Sequence, residues 1–293
     1  MDSATFVRSS KDFFSFLLSV FNRFYSLGGS SLAAAISYYL LLSLFPILIL
    51  TISILGYVTQ DYGIFYSAII DSVGNVMPGY VDLVERNLDT IIKNSGSLSF
   101  LALAGLLWVS IGIFSSIEFS LNTIFDVQQY KTFLRTRLLG LSFVFLLACF
   151  ILASTLITPL KGLVIFLLSY LPLVDQQKAT FLLGFVLTLL PLVFSYFLFY
   201  IIYRFIPAKK LGEREVMIGA AVAAFLWELA KNLLVWYLTA RMPYYQLVYG
   251  SLVLIILSIL WSYFFSIILV YTACIIYTLN NRRIEREKID LAL

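Results

Sequence analysis

Apolar residues occur along this chain in six long stretches that short polar segments separate. The stretches lie near 33–58, 98–125, 138–158, 180–205, 216–239 and 249–278. Each contains about 20 or more predominantly apolar residues, which is the length that an α-helix needs to cross a bilayer. The pattern therefore predicts an all-α membrane protein with six transmembrane helices, which form one integral membrane domain over residues 1–293.

Three segments outside these stretches carry patterns of their own. Residues 11–27 are apolar but interrupted by charge, which predicts a helix along the membrane surface that Gly28-Gly29 ends. Residues 59–97 have apolar positions at helical spacing and predict a short extracytoplasmic cap of two helices. Residues 162–174 are apolar for only about a dozen positions, which leaves open a re-entrant segment or a long third helix.

The composition agrees with a bilayer environment. Apolar residues make up 61% of the chain and charged residues only 12%, whereas soluble proteins carry roughly a quarter charged residues. This excludes a soluble enzyme. The chain has no His, so the histidine bases and histidine metal ligands of many enzymes are excluded as well. The two cysteines lie inside apolar runs, and we expect no catalytic residues, no metal and no cofactor.

The positive charges are distributed unevenly between the two sides of the predicted helices. Fourteen of the 20 Lys and Arg residues lie on the side of both termini, five lie on the other side, and Lys231 lies within a span. By the positive-inside rule both termini are cytoplasmic. Topology thus explains the net charge of +4, and with no groove-reading element we expect no nucleic-acid partner.

Three charged residues lie within the predicted spans, where each costs roughly 2.5–3.5 kcal/mol. Glu118 and Asn122 are four residues apart toward the cytoplasmic end of the second span, and Glu228, Lys231 and Asn232 share one face of the fifth. Two interpretations stay open. Either Glu228 and Lys231 neutralise each other between packed helices, or these side chains line a polar cavity that binds a substrate headgroup or relays an ion.

The first span begins with an unusual density of small and polar residues. Tyr39, Ser43 and Pro46 share a helix face, and Ser37 lies in the same part of the span. Pro46 removes a backbone hydrogen bond to the carbonyl of Leu42, so we expect a kink near Ser43. The kink is compatible with a purely structural role and with a site for a cation or water.

The start of the sixth span carries a further candidate. Tyr249 precedes Gly250-Ser251, which are placed to open a helix. The bare amides there form a candidate anion site, whereas the tyrosines of the preceding loop also suit an interfacial belt.

Five motifs together resemble a known family. They are the segment AAAISYYLLLSLFP at 33–46, Trp108 to Glu118 with Leu121-Asn122, Trp227-Glu-Leu-Ala-Lys231, Tyr249-Gly-Ser-Leu252 and Trp261-x-Tyr263. In this order they resemble the YihY/BrkB family of bacterial inner-membrane proteins, over residues 10–280. The resemblance implies six helices with cytoplasmic ends. The family's sixth span usually closes with a Gly-Ala-Glu-like element where this chain has Tyr271-Thr-Ala-Cys274, so no role of that acidic residue carries over.

The leading functional hypothesis is a permease or flippase for an amphipathic, anionic envelope metabolite or lipid. The expected substrate-binding residues are Ser37, Tyr39, Ser43, Glu118, Asn122, Glu228, Lys231, Asn232 and Tyr249, and the expected backbone irregularities are at Pro46 and Gly250. Glu118 and Asn122 would form a cytoplasmic gate. The alternative is a non-transporting scaffold or envelope assembly factor. Membrane lipids and an unidentified substrate are the expected partners, and a homo-oligomer is compatible with the pattern.

Overall fold

The computed structural model describes residues 3–59, 95–127, 176–249 and 252–290, with scattered positions between 67 and 86. These residues form six α-helices and no strand: α1 (Ser3–Ser26), α2 (Gly29–Thr59), α3 (Ser95–Ile124), α4 (Gln176–Phe205), α5 (Glu213–Tyr249) and α6 (Val253–Asp290). The predicted all-α class is confirmed for this part of the chain. The predicted third span at 138–158, the segment 162–174, Gly250 and most of the cap at 59–97 lie outside the described residues.

Several of the described helices are long and apolar enough to cross a membrane. Three contain such a stretch: Leu103–Ile124, Glu213–Leu234 and Ile255–Glu285. A bent pair, Phe14–Ser26 with Gly29–Leu44, adds a fourth if it crosses as one broken span. The apolar part of α4, Pro191–Phe205, is shorter. The described residues therefore support a helical membrane fold with three or four candidate spans.

Helix α1 ends just before the Gly28-Gly29 pair, as the sequence predicted, and Gly29 is already the first residue of α2. Gly28 has a φ of 62°, a left-handed conformation that glycine adopts without the steric cost of a Cβ. Its carbonyl then accepts hydrogen bonds from the N–H groups of Ser31 and Leu32 at 2.8 and 3.1 Å. Gly28 thus ends one helix and caps the next, and the two helices meet at 64°.

Helix α6 lies at the centre of the described bundle. It contacts α1, α2, α3 and α5, while α2 also packs on α3 and α4 packs on α5. Its buried residues include Leu269, Ala273, Cys274 and Ile276, each with no exposed surface. Two helix pairs, α2 with α3 and α4 with α5, therefore share α6 as a common neighbour.

Small residues allow the helices to approach closely. A Cβ on Gly112 of α3 would overlap the ring of Tyr39 on α2, and a Cβ on Gly219 of α5 would overlap the side chain of Ile276 on α6. Close backbone approach at small residues is a principal source of helix association inside membranes. The α2–α3 and α5–α6 pairs are therefore closely packed at these two glycines.

Large apolar side chains cover the outer surface of the bundle. Examples that are more than half exposed are Phe14, Tyr25, Phe100, Trp108, Phe225 and Trp236. Apolar surface spread over all sides of a bundle is disfavoured in water and matches the hydrocarbon of a bilayer.

The close contact at Gly219 provides the first prediction. We expect Gly219→Ala to lower the free energy of unfolding by about 1–3 kcal/mol, because the added methyl group overpacks the α5–α6 interface. The measurement is thermal unfolding of the purified protein in detergent.

Gly105→Ala is the matched control, since it makes the same chemical change in a helix. A Cβ at Gly105 would lie 3.7 Å from Cγ of Pro46, an ordinary contact. Equal loss of stability in both variants would contradict the packing explanation.

Candidate functional site

A polar group on α5 forms around Glu228 and Lys231. Lys231 Nζ donates to Glu228 Oε1 at 2.5 Å, and Oγ of Ser195 on α4 donates to the same oxygen at 3.3 Å. Asn232 Nδ2 donates to the carbonyl oxygen of Glu228 at 2.7 Å. The side chains of Lys231 and Glu228 are 27% and 24% exposed. The pair is therefore neutralised internally, and each of its side chains stays partly exposed.

Aromatic rings lie beside this ion pair. Lys231 Nζ is 5.9 Å from the centre of the Trp227 ring, within reach of a cation–π attraction. Trp227 also contacts Trp261 and Phe265 of α6 edge to face, with ring centres 5.0 and 5.4 Å apart. The sequence had grouped Trp227 with Lys231 and Trp261 only through the family resemblance, and the fold brings the three into one region.

Glu118 and Asn122 lie at a different level, in the last two turns of α3. Both are buried, with 7% and 0% of their surface exposed. Asn122 Oδ1 accepts a hydrogen bond of 3.0 Å from the N–H of Ala208, in the loop between α4 and α5. Oε1 of Glu118 and Nδ2 of Asn122 are buried without a partner. Their buried, unsatisfied atoms distinguish them from the Glu228 group.

The two polar groups do not converge on one point. Glu118 lies about 9 Å along α3 from its end at Ile124, whereas Glu228 lies about 22 Å along α5 from its start at Glu213. Both of those helix ends lie at the same end of the bundle. No hydrogen bond or ion pair joins the two groups within the part of the chain that the structure describes. A single binding cavity that uses both groups stays a prediction.

The polar residues of α2 are mostly bonded within their own helix. Ser37 Oγ donates to the carbonyl of Ala34 at 2.9 Å, and Ser43 Oγ donates to that of Leu40 at 2.6 Å. Tyr39 packs over Gly112 of α3, and Pro46 lies opposite Gly105 within a helix that continues to Thr59. Tyr249 is the last residue of α5. The roles predicted for these residues stay predictions.

Residues that the sequence had not singled out form an ion pair at the end of α3. Arg23 Nη2, from α1, donates to the carbonyl of Ile124 at 2.8 Å and to Asp126 Oδ1 at 2.6 Å. The hydroxyl of Tyr277, from α6, donates to Asp126 Oδ2 at 2.6 Å, and the Arg23 guanidinium stacks 4.0 Å from the Tyr277 ring centre. We call these three residues the Arg23 latch, which joins α1, α3 and α6.

Asp126 occupies a backbone position that few residues accept. Its φ is 53°, and the N–H of Val127 donates to the carbonyl of Asn122 at 3.0 Å. This is the Schellman arrangement, in which the residue after the helix is usually Gly or Asn. Asp tolerates the left-handed conformation better than most residues. The Arg23 latch therefore binds the side chain of Asp126, and the left-handed backbone of the same residue ends α3.

The charge of Asp126 is stabilised by its neighbours. Burial raises the pKa of this carboxyl, but hydrogen bonds from Tyr277 and Arg23 and the charges of Arg23 and Lys209 lower it further, so the pKa lies below its ordinary value. Lys209 also donates to the carbonyl of Phe125 at 3.3 Å. Two basic side chains thus bind the last carbonyls of α3, where the helix dipole favours positive charge.

We call this region the basic end of the bundle: the Arg23 latch, residues 206–212 between α4 and α5, and the last turns of α6. Arg204 bonds the carbonyl of Leu211 at 3.1 Å and pairs with Glu213 at 3.1 Å. Glu215 pairs with Arg283 of α6 at 3.4 Å. In the sequence, Arg23 lies in what becomes the last turn of α1, and Asp126 lies two residues after the end of α3. Neither position indicates which residue is the partner.

Comparisons with known proteins give a consistent result. A family model described as Virulence factor BrkB matches residues 20–292. A UPF0761 membrane protein from Yersinia pestis is 29% identical over 216 residues, which cover 73% of this chain and 70% of that relative. A UPF0761 membrane protein from Vibrio campbellii is 29% identical over 271 residues, which cover 88% and 80%. No solved structure matches the chain.

The backbone position of Asp126 provides the second prediction. We expect Asp126→Ala to destabilise the protein more than Asp126→Asn, by about 1–2 kcal/mol, because Ala is strained at a positive φ and Asn is not. Both variants lose the ion pair with Arg23. The measurement is thermal unfolding of each variant in detergent, and equal losses would show that the conformation of residue 126 is unimportant.

The pH dependence of stability separates the contribution of the Asp126 charge from that of the Asp126 backbone conformation. Because the pKa of Asp126 is lower in the folded protein, its charge contributes stability above its unfolded pKa of about 4. That contribution is lost as the pH falls through the lower, folded pKa. The stability difference between wild type and Asp126→Asn should therefore stay constant from pH 7 to about 5 and shrink at lower pH.

Proposed function

This chain belongs to the virulence factor BrkB family, and on that premise we propose that it moves an amphipathic substrate across the bacterial inner membrane. The proposed activity is that of a permease or flippase, and the substrate is an anionic envelope metabolite or lipid. Both termini and the basic end face the cytoplasm. The Glu228–Lys231 pair is the single observation that carries the proposal.

A charged pair inside a membrane span has a cost that packing alone would avoid. Each charge costs roughly 2.5–3.5 kcal/mol on insertion scales, and such residues commonly line substrate or ion pathways. Glu228 and Lys231 lie within the span-length stretch Glu213–Leu234, and each is about a quarter exposed. A pair with only a structural role needs further hydrogen bonds to offset its desolvation cost, and among the described residues Ser195 alone adds a donor to the Glu228 carboxylate.

The chemistry around the pair suits an amphipathic anion. Among the residues that the structure describes, Lys231 has one carboxylate partner, Glu228, at 2.5 Å, and an incoming phosphate or carboxylate group would compete with that partner for the ammonium. Ser195 Oγ already donates to the Glu228 oxygen at 3.3 Å and would stabilise the displaced carboxylate. Trp227 supplies an apolar surface beside the charge. Lys231 would thus bind the anionic headgroup, and Trp227 would contact the adjoining acyl chain.

The basic end is the proposed cytoplasmic closure. Lys and Arg on that side follow the positive-inside rule, and the Arg23 latch ties α1, α3 and α6 together there. Opening toward the cytoplasm would require these contacts to separate. The sequence carries no nucleotide-binding motif, so the proposed motion is driven by a gradient or by a partner.

A non-transporting scaffold is the second candidate, and one observation favours it. Many in-span hydroxyls are satisfied by a carbonyl of their own helix: Ser37, Ser43, Ser110, Ser120, Ser266, Thr272 and Thr278. Such local bonding removes the need for a substrate or water partner. On this view the Glu228–Lys231 pair joins helices and nothing passes between them.

The third prediction concerns Lys231. Lys231→Ala should abolish lipid movement, because it removes the cation that binds the anionic headgroup. The measurement is dithionite bleaching of a fluorescent phosphatidylglycerol in proteoliposomes that contain the full-length protein. Arg214→Ala, at an exposed arginine in the first turn of α5, is the charge-matched control and should retain wild-type rates. If the Lys231→Ala variant moves lipid at the wild-type rate, Lys231 does not have the proposed role.

The fourth prediction separates the two candidate functions. In a background where both native cysteines are replaced, Asn232→Cys, at an exposed position beside Glu228 and Lys231, should react with a charged, membrane-impermeant thiol reagent if that side of the pair is wet. Ser266→Cys, at a fully buried position of α6, should stay protected, and Lys210→Cys should react fully. Protection of Asn232→Cys from both sides of the membrane would favour the scaffold.

A further inference from the structure

Two stripes of exposed side chains run along the outside of α1. The first stripe is apolar and consists of Phe14, Leu17, Leu18, Phe21 and Tyr25. The second stripe is polar and consists of Ser15, Ser19, Asn22 and Ser26. Residues three or four positions apart lie on the same side of a helix, so each set forms a continuous line. We call them the apolar stripe and the polar stripe of α1.

The two stripes distinguish α1 from a helix that crosses the hydrocarbon. In residues 103–124 of α3, Ser115 is the one polar residue among seven exposed residues. In residues 14–26 of α1, four of the nine exposed residues are polar. Two of the serines bond carbonyls of α1 itself, which makes a hydroxyl compatible with lipid. Asn22 makes no such bond within the described part of the chain, so its amide needs water.

Helix α6 contacts two opposite sides of α1. The ring of Phe24 meets the ring of Tyr271 edge to face, with ring centres 5.7 Å apart. Arg282 Nη2 donates to Ser15 Oγ at 3.3 Å. Ser15 and Phe24 are nine residues apart, so their side chains leave α1 on opposite sides. Because α6 reaches both sides, α1 crosses α6 at an angle and does not run parallel to it.

These contacts give α1 a direction relative to the membrane. From Tyr271 to Arg282, α6 advances about 17 Å toward the basic end. Phe24 follows Leu17 of the apolar stripe by seven residues, which places both on the same side of α1, whereas Ser15 belongs to the polar stripe. The apolar stripe therefore lies on the side of α1 that is nearer the middle of α6. The polar stripe lies on the side of the basic end.

The bend between α1 and α2 agrees with this direction. Helix α2 contains the predicted first span, and α1 meets it at 64°. A helix at this angle to a span along the membrane normal lies closer to the membrane plane than to the normal. The left-handed backbone of Gly28 and the hydrogen bonds to its carbonyl set the bend.

We propose that α1 is a surface anchor whose apolar stripe binds the acyl chains of the membrane leaflet at the basic end. A helix at a membrane surface buries its apolar side in the boundary between headgroups and acyl chains, and its polar side stays in water. The two stripes and their order along α6 fit this position. The sequence predicted a helix along the surface, and the contacts with α6 assign the residues that enter the lipid. The anchor does not depend on transport.

Lipid is the occupant that this geometry favours. The apolar stripe faces toward the middle of α6, which belongs to the span-length stretch Ile255–Glu285. A water-soluble partner would meet the polar stripe first and could not reach the apolar stripe from its own side of the membrane. Acyl chains are the apolar groups available at that depth.

The anchor also sets the depth of the Arg23 latch. Phe21 of the apolar stripe and Asn22 of the polar stripe directly precede Arg23 on the same helix. The boundary between lipid and water therefore passes through the latch, at a level where an arginine keeps its charge among the headgroups. The part of α6 that follows Arg282 extends beyond this boundary into water.

The fifth prediction tests the two stripes with neighbouring spin labels. Leu18→Cys, Ser19→Cys, Phe21→Cys and Asn22→Cys are labelled one at a time, in full-length protein without its native cysteines, in liposomes of phosphatidylethanolamine and phosphatidylglycerol. Oxygen concentrates in hydrocarbon, and a water-soluble nickel chelate stays outside it. The ratio of oxygen to nickel collision rates should therefore be several-fold higher at 18 and 21 than at 19 and 22.

Two further labels calibrate the measurement. Leu107→Cys, at an exposed position of α3, should report hydrocarbon, and Lys210→Cys, at an exposed position of the loop before α5, should report water. A high ratio at all four positions of α1 would place it inside the hydrocarbon as half of a broken span. A low ratio at all four would place it in water. Exclusion of both reagents at 18 and 21 would show that a protein covers the apolar stripe. Each of these three results overturns the proposal.

A second measurement needs no substitution. In a cryo-electron microscopy map of the wild type in nanodiscs of the same lipids, α1 should lie along the edge of the disc density, with the apolar stripe inside it. A helix α1 that stands clear of the disc or crosses its interior would overturn the proposal. A failed lipid-movement assay would remove the proposed function and leave the anchor standing. Failure of the anchor would leave the Glu228–Lys231 pair unaffected.

Discussion

The end of α3 is the point on which the described bundle depends most. A helix leaves its last carbonyls without partners, and inside or near a bilayer those groups have little water to bond. Here Arg23 and Lys209 supply donors to Ile124 and Phe125, and Asp126 turns the chain away. Because the donors come from α1 and from the loop after α4, satisfying one helix end fixes the positions of several others.

The hydrophobic pattern could predict most of the described fold. Apolar stretches of span length and a glycine pair depend on local composition, so helices cover the stretches near 33–58, 98–125 and 216–239. Helix α5, however, continues to Tyr249 through a segment that the sequence predicted to be a loop. The motif resemblance to the BrkB family is likewise confirmed by the family model over residues 20–292. Patterns of this kind need no knowledge of which helices are neighbours.

The partners of the polar residues could be predicted only when they lay on one helix. Glu228 and Lys231 are three residues apart, and their predicted ion pair is present at 2.5 Å. Ser195 lies on another helix, and Arg23 and Asp126 are separated by 103 residues. No periodicity encodes such distant contacts. Arg23 therefore reads in the sequence as an interruption of an apolar helix, although it is the central donor of the basic end.

The Arg23 latch also has a consequence for the order of biosynthesis. Helix α1 leaves the ribosome first, but its partner Asp126 is made 103 residues later, and Tyr277 belongs to α6, the last described helix. Arg23 can therefore meet Asp126 only after α3 has been translated, and the latch gains Tyr277 only after α6 has been inserted. The basic end is completed last, and chains truncated before Tyr277 cannot assemble it.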